Sequence, residues 1–253
     1  MTLLAVERIK LFTTRSPLWC TVIALAAMTG FAALMAGVDS AGQVTIASTQ
    51  YGYNLGLVVV MVMAALAITT EYRFSTIKAT FQAIPNRNSV LLAKTSVVAL
   101  FAGGIGLAAS FGSVAIAKLI RPGADLAINT AFEWRAVAGV GLVYAIAAVI
   151  AVSVGALIRH SAGAIAVILI YTQLVESLVT LIPDAGHDIQ RWMPFYVANR
   201  FLTGNPDLTA RRIDEGPPPS DAALSPWWAL AYFAGVAVVL LVAALGAADK
   251  RDA

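Results

Sequence analysis

Long apolar runs separated by short polar segments dominate the pattern of this chain. Five runs contain no charged residue, and each reaches the roughly 20 residues that an α-helix needs to cross hydrocarbon. They cover residues 16–38, 40–70, 95–117, 136–158 and 222–248. A sixth run, 161–183, is interrupted only by Glu176. Because a helix bonds every backbone amide within its own segment, the pattern predicts an all-α membrane protein with six transmembrane helices.

The composition agrees with this class. Hydrophobic residues make up 59% of the 253 residues and charged residues 12%, and the mean hydropathy is +0.80. A soluble domain of this length cannot bury so much apolar surface. Cys20 is the only cysteine, and the two histidines, His160 and His187, form no zinc-binding spacing, so no metal site is expected. The interleaved basic and aromatic residues that suit nucleic acid are also missing.

The basic residues predict the orientation. If the N-terminus is cytoplasmic, ten lysines and arginines lie in the cytoplasmic segments and seven in the outer segments. Cytoplasmic loops carry an excess of Lys and Arg, so this bias supports that orientation. We expect a multi-pass protein of the cell membrane with both termini in the cytoplasm, and the net charge of +3 reflects the same bias.

The polar segments divide a single transmembrane domain, residues 1–253, into recognisable parts. Residues 1–15 form a cytoplasmic segment, 71–94 a cytoplasmic loop between spans 2 and 3, and 183–226 an outer region between spans 5 and 6. The first part of the outer region predicts a short helix on the membrane surface, interrupted at Pro194. The rest is rich in proline and charge and predicts an irregular loop.

The loop after span 2 has a helical pattern of its own. At 100° per residue, Phe74, Ile77, Phe81 and Ile84 fall on one side, while the polar residues between them lie outside that arc. Pro85 disfavours helix at the preceding residue, so the helix should end near Ala83 or Ile84. Periodicity alone leaves two interpretations open: a helix that receives a push from a soluble partner, or an interfacial anchor with no partner.

The residues of this loop resemble a known family. Glu71, Tyr72 and Arg73, then 76–80, with Pro85, Arg87 and Lys94 behind them, resemble the loop after the second span in permease subunits of type-2 ABC exporters, the actinobacterial branch most of all. The N-terminal stretch VERIKLFTTRSPLW is similar to the family's leading segment. Ser75 and Asn86 depart from the family, which often has glycine and a basic residue there.

The resemblance implies a division of labour. It implies an N-terminal interfacial helix and a cytoplasmic coupling helix that docks on a separate ABC-type ATP-binding subunit, with a second permease subunit completing the substrate path in the bilayer. ATP and Mg²⁺ would bind to the partner, since this chain has no GxxxxGK[ST] phosphate-binding loop and is not expected to be an enzyme. The interfacial segment would use Glu7, Lys10 and Arg15. The residues implied for partner binding are Glu71, Arg73, Phe74, Thr76, Ile77, Lys78, Phe81, Ile84 and Arg87.

One acidic residue lies inside a predicted span. A charge at the bilayer centre costs at least about 2.5 kcal/mol on insertion scales, so Glu176 should face protein or water, lie near the outer end, or be protonated. It is either a polar point in an outward vestibule or a hydrogen-bonding partner of a neighbouring helix. Gln173, three residues earlier, is expected to share its face. We take Gln173 and Glu176 as candidates for the substrate path.

Two functions of different classes follow from these observations. The first is the membrane subunit of an ATP-driven exporter of amphipathic or hydrophobic molecules. The second is a non-transporting membrane anchor or assembly protein whose amphipathic loop binds lipid or a cytoplasmic partner. Co-purification of an ATPase with the chain distinguishes them.

Overall fold

The structure of the protein, a computed structural model, describes residues 3–38, 44–84, 86–204 and 220–251. All secondary structure in these ranges is helical. The helices are α1 (Leu3–Thr13), α2 (Arg15–Val38), α3 (Ile46–Thr49), α4 (Tyr53–Arg73), α5 (Thr76–Ala83), α6 (Arg87–Ile120), α7 (Ala131–Ile158), α8 (Ser161–Ile170), α9 (Glu176–Leu178), α10 (Gly186–Gln190), α11 (Pro194–Thr203) and α12 (Pro226–Arg251). A π-helix (Tyr171–Val175) joins α8 to α9, and a 3₁₀ turn (Val179–Leu181) follows α9.

Six segments of the described chain are long and apolar enough to cross a membrane, which confirms the predicted all-α fold with six spans. These segments are Arg15–Val38, Ile46–Arg73, Arg87–Ile120, Ala131–Ile158, Ser161–Leu181 and Pro226–Ala248, numbered here as spans 1 to 6. Span 4, formed by α7, is the most buried of them and packs against α4, α6, α8, α11 and α12. It is therefore the axis around which the bundle is built.

Glycines allow the close approach of α6 to α7. A Cβ on Gly141 would lie 2.6 Å from the Leu107 Cγ, and one on Gly106 would lie 3.0 Å from the Gly141 Cα. Such distances leave no room for a methyl group, as is common where membrane helices meet. Gly52 and Gly56 likewise face α2 and α7 of the same chain, so these small-residue spacings serve packing within one subunit.

The two ends of the bundle differ. The end that holds α1, α5, the start of α6 and the last turns of α12 is called the α5 end here. Arg87 and Arg159 donate hydrogen bonds there to the backbone oxygens of Ala248 and Ala247, at 3.5 and 3.4 Å. Cations near a helix C-terminus complement its dipole. The opposite end, which holds α10 and α11, is called the α11 end.

Helix boundaries follow local chemistry. α5 ends at Ala83, and Ile84 is extended, as Pro85 in the sequence predicts. α6 begins at Arg87, ahead of the expected start of span 3 near Lys94, because the Asn86 side chain accepts a hydrogen bond from the Ser89 amide and caps the helix. The helical interruption expected at Pro194 is present, with Pro194 as the first residue of α11. Much of the predicted irregular loop, 205–219, lies outside the described residues.

Candidate functional site

A cluster of four charged side chains lies at the α5 end, where α1 meets spans 2 and 3. The Lys94 Nζ atom lies 2.5 Å from Glu7 Oε2 and 3.0 Å from Glu71 Oε1. The Lys10 Nζ atom lies 2.9 Å from Glu7 Oε1 and 3.3 Å from Glu71 Oε1. The four residues come from α1, α4 and α6, and they are called the ion cluster below. Two cations and two anions make it neutral, which is the condition for burying charge.

Burial distinguishes the members of the ion cluster. Glu7 and Lys94 are 4% and 5% exposed, whereas the Lys10 side chain is 35% exposed. Burial would raise the pKa of Glu7, but the ammonium groups of Lys94 and Lys10 outweigh it and hold the pKa of Glu7 below its usual range. Burial would lower the pKa of Lys10, but Glu7 and Glu71 reverse this and raise it. Glu7 and Lys10 are thus charged at neutral pH.

The ion cluster also reaches α5. Lys10 Nζ donates a hydrogen bond of 3.3 Å to the Thr80 Oγ1 atom on that helix. Thr76 Oγ1, in the first turn of α5, donates to the Glu71 carbonyl oxygen at 3.4 Å. Glu71 lies before α5 in the chain and Lys94 after it, so their ion pair closes the segment that contains α5. Hydrogen bonds therefore join α5 to α1 and α4, and the ion pair joins α4 to α6.

The turn into α5 is tight. Ser75 has φ 56° and ψ 14°, in the left-handed region, where a side chain costs roughly 1 kcal/mol relative to glycine. This is the position at which the family named above often has glycine. The turn reverses the chain after α4 so that Ile77 is buried against the bundle. The α5 helix consequently lies against the end of the spans.

The predicted partner-binding residues take different positions. Phe74 is 67% exposed, and the Arg73 guanidinium lies 5.5 Å from the centre of its ring. Thr76 is exposed, whereas Ile77 packs into the core and Ile84 is half-buried. Phe74 and Ile77 therefore do not share one apolar face, because the turn at Ser75 separates them. The side chains of Lys78 and Phe81 lie outside the part of the chain that the structure describes.

Two further predicted residues lie near the ion cluster but do not join its ion pairs. Arg15 is exposed at the start of α2 and lines a cavity of about 550 Å³ beside the cluster. Arg87 binds the end of α12, as described above. Lys94 and Thr80 were not expected among the functional residues. A signal for Lys94 exists in the sequence, because a lysine that directly precedes a long apolar run needs a partner at the membrane surface.

At the α11 end, Glu176 is 6% exposed. Its Oε1 and Oε2 atoms accept hydrogen bonds from the backbone amides of Phe195 and Tyr196, at 2.9 and 2.8 Å. These amides belong to the first turn of α11, whose free N–H groups need acceptors. The carboxylate therefore caps α11 from span 5 and faces protein.

Gln173 does not join Glu176. Its side chain is exposed, and its Nε2 atom lies 3.5 Å from the neighbouring Thr172 Oγ1. The expectation of a shared face assumed an α-helix, but Tyr171–Val175 is a π-helix. A π-helix has more residues per turn, so residues three apart no longer lie above one another.

The comparison with protein families decides the assignment. A family model described as ABC-2 family transporter protein matches residues 3–175. The chain belongs to this family. No curated protein and no solved structure matches it.

The match to the ABC-2 transporter family confirms the resemblance read from the sequence. It makes the chain a transmembrane permease of ABC transport and a multi-pass membrane protein. The matched range contains α1, α5 and all four residues of the ion cluster, and it ends at Val175, next to Glu176. The ion cluster thus lies in the part of the chain that the family model matches, whereas α10 and α11 lie beyond it.

Proposed function

We propose that this ABC-2 permease is the membrane subunit of an ATP-driven exporter, works as a dimer, and is driven through α5 by a separate ATP-binding subunit. Family membership supports a permease role. The absence of a GxxxxGK[ST] loop from this chain supports a partner that binds ATP and Mg²⁺. In this proposal the α5 end faces the cytoplasm, where that partner is found, and the cargo is amphipathic or hydrophobic.

The observation that carries the proposal is the attachment of α5 to the bundle. A coupling helix must be rigidly joined to the spans that it moves. Ile77 is buried in the main core cluster, Thr80 contacts Lys10, and the ion pair of Glu71 and Lys94 closes the segment at its base. Packed side chains and ion pairs carry the energetic coupling between distant sites in a protein.

The surface next to α5 fits a protein partner. Phe74 is a large aromatic residue exposed at a polar end of the molecule, and Arg73 is stacked on its ring. Aromatic and arginine side chains carry a large share of the binding energy of protein interfaces. Burial of Phe74 by a partner would remove its ring from water without changing the permease core.

The orientation rests on charge. Lys10, Arg87, Lys94 and Arg159 all lie at the α5 end in the structure, which agrees with the positive-inside bias of the sequence. α1 and the last turns of α12 are at this same end, so both ends of the described chain are on one side. We place that side in the cytoplasm.

Phe74→Ala tests the docking surface. The tagged chain is purified in mild detergent from its own cells, and co-purifying ATPase is quantified by mass spectrometry and ATP hydrolysis. The variant should lose about tenfold or more of the bound ATPase, as expected for an anchor residue of an interface. Leu119→Ala is the matched control, because Leu119 is 75% exposed on α6 near the α11 end. Full ATPase recovery with Phe74→Ala contradicts the proposed docking surface. A chain that never co-purifies an ATPase favours the membrane-anchor alternative.

A further inference from the structure

An apolar cavity lies inside one subunit between spans 5 and 6. Its volume is about 670 Å³, within the range of about 300–1,000 Å³ usual for sites that bind small molecules. Met61 on span 2 and Ile150 on span 4 line its floor, and Val167 and Val239 are exposed at its rim on spans 5 and 6. The lining is almost entirely hydrocarbon, so a ligand here needs no hydrogen-bonding groups.

A smaller polar cavity adjoins it toward the α11 end. This cavity has a volume of about 140 Å³, and its lining shares Thr172 and Phe195 with the apolar cavity. Asn54, Glu176 and Gln190 are among its polar residues. An apolar space of this volume beside a small polar one suits an amphiphile with a hydrocarbon chain and a compact head.

The polar cavity has one ionisable side chain, Glu176, among the described residues that line it. When this carboxylate is ionised, the N-terminus of α11 offsets about half an elementary charge at most, and a net negative charge remains for a cation to neutralise. Two arginines at the α11 end have other partners: Arg191 donates to the Asp221 carbonyl oxygen, and Arg200 donates to the Ser220 carbonyl oxygen. A carboxylate has about four acceptor positions, and two of those on Glu176 are used by backbone amides.

We propose that the two cavities together bind a single-chain amphiphile with a cationic amino head. The chain lies in the apolar cavity, and the ammonium group donates to the free acceptor positions of the Glu176 carboxylate. An anionic head is disfavoured because it would lie beside the Glu176 carboxylate. As a statement about cargo, this inference rests on the proposed export function, but the binding itself requires no ATPase.

Filling the apolar cavity tests the chain site. Gly235 lines it, and a Cβ there meets no atom within 4 Å, so Gly235→Leu occupies the space without forcing the backbone to move. Gly246→Leu is the matched control, since Gly246 lies on the same helix, has an equally open Cβ position and does not line the cavity.

The probe is hexadecylamine with a diazirine at the end of its chain. The permease is reconstituted alone in phosphatidylcholine nanodiscs.

Irradiation should attach the probe to spans 5 and 6 of the unaltered protein, as mapped by mass spectrometry. Gly235→Leu should reduce this labelling about tenfold or more, and Gly246→Leu should leave it unchanged. Equal labelling in the two variants overturns the assignment of the chain to this cavity. Equally strong labelling by a diazirine phosphatidylcholine also overturns it, because the cavity would then hold ordinary bilayer lipid.

The head group is tested with Glu176→Gln, which preserves the shape of the side chain. The unaltered protein should bind the amine about tenfold more tightly than the matching hexadecanol probe, and the matching sulfate should label least. In Glu176→Gln the preference for the amine over the alcohol should disappear while chain labelling persists. A preference that survives the substitution overturns the role of Glu176. Because no ATPase is present, these outcomes are independent of whether α5 couples to one.

Discussion

Lys94 is the residue on which the α5 end depends most. Its ammonium group is buried between two carboxylates from different helices, Glu7 and Glu71. Moving a charge out of water costs several kcal/mol, and the cost is recovered only when partners with good geometry are present. The ion cluster therefore joins α1, α4 and α6 in one arrangement, since removal of Lys94 leaves the Glu7 carboxylate buried without its closest cation.

Lys94→Met tests this role. The substitution keeps most of the side-chain volume but leaves Glu7 buried without its closest cation, so we expect a loss of roughly 3–5 kcal/mol of stability. Lys10→Met is the matched control, because Lys10 pairs with the same carboxylates from an exposed position and should cost about 1 kcal/mol or less. Denaturation by sodium dodecyl sulfate, followed by tryptophan fluorescence, measures both. Equal losses in the two variants would mean that burial does not distinguish the two lysines.

The ion cluster also predicts a pH dependence. The pKa of Glu7 is held below its usual value, so its contribution to stability is complete above the ordinary carboxyl pKa and is lost as pH falls through the lowered one. The pKa of Lys10 is raised, so its contribution is complete below the ordinary lysine pKa and is lost as pH rises through the raised one. α1 should therefore stay docked through the neutral range and detach in acid, at a pH below the ordinary carboxyl pKa.

Spin labels at the exposed positions Leu4 and Leu92 measure this docking. The distance between α1 and α6 should be constant from mildly acidic to mildly basic pH and should increase in acid. Release of α1 at neutral pH would contradict the conclusion that Glu7 and Lys10 are charged at that pH. So would an unchanged distance at the lowest pH at which the spans remain folded.

The resemblance to the family predicted some of these residues, but their pairing was not predictable. Glu7, Lys10 and Glu71 were singled out in two separate segments from their likeness to the family. Glu7 and Lys94 are 87 positions apart, and no local pattern reports a contact over that separation. Gln173 is the opposite case, a predicted residue that does not join its expected neighbour. The face that it was expected to share with Glu176 assumed an α-helix, and residue spacing alone does not reveal the π-helix at Tyr171–Val175.

At the scale of elements, glycine spacing decides how closely the helices pack. Gly106 and Gly104 lie on the same helix, α6, and differ in what faces them. A Cβ on Gly106 would lie 3.0 Å from the Gly141 Cα and from the Tyr144 ring, whereas one on Gly104 would meet nothing within 4 Å. Alanine substitutions at the two positions therefore separate the effect of helix packing from that of helix propensity.

Gly106→Ala should destabilise the permease by about 1–3 kcal/mol, because the backbone of α7 must move to admit the methyl group. Gly104→Ala should be neutral or stabilising by up to about 1 kcal/mol, since alanine is the better helix former. The same denaturation assay measures both. If Gly104→Ala is the more damaging substitution, its open face is covered in the working assembly, and a partner subunit is the expected cover.

Element boundaries were predictable where one residue decides them. Pro85 predicts the end of α5, and Pro194 predicts the break before α11. The start of α6 was not foreseen, because residues 87–94 were assigned to the loop before span 3, although Asn86 caps a helix there. The turn at Ser75 was also not foreseen, since serine gives no sign of a left-handed backbone.

At the scale of the whole molecule, hydropathy is sufficient to predict the six spans, because each apolar run has only one way to satisfy its backbone in lipid. It does not reveal which span is central or where cavities remain. Those depend on the fit between side chains of distant segments, and both the 670 Å³ cavity and the ion cluster are products of that fit.

The contact between α5 and an ATP-binding subunit is tested most directly by photo-crosslinking in living cells. A photo-reactive amino acid replaces Phe74, the exposed aromatic residue at the turn into α5, and a second strain carries it at Leu119 as the control. We predict that irradiation produces an adduct from position 74 that contains an ABC-type ATPase, and none from position 119. Two results together would contradict the account. No ATPase adduct forms from position 74, and a membrane-impermeant reagent added outside the cells reaches that position.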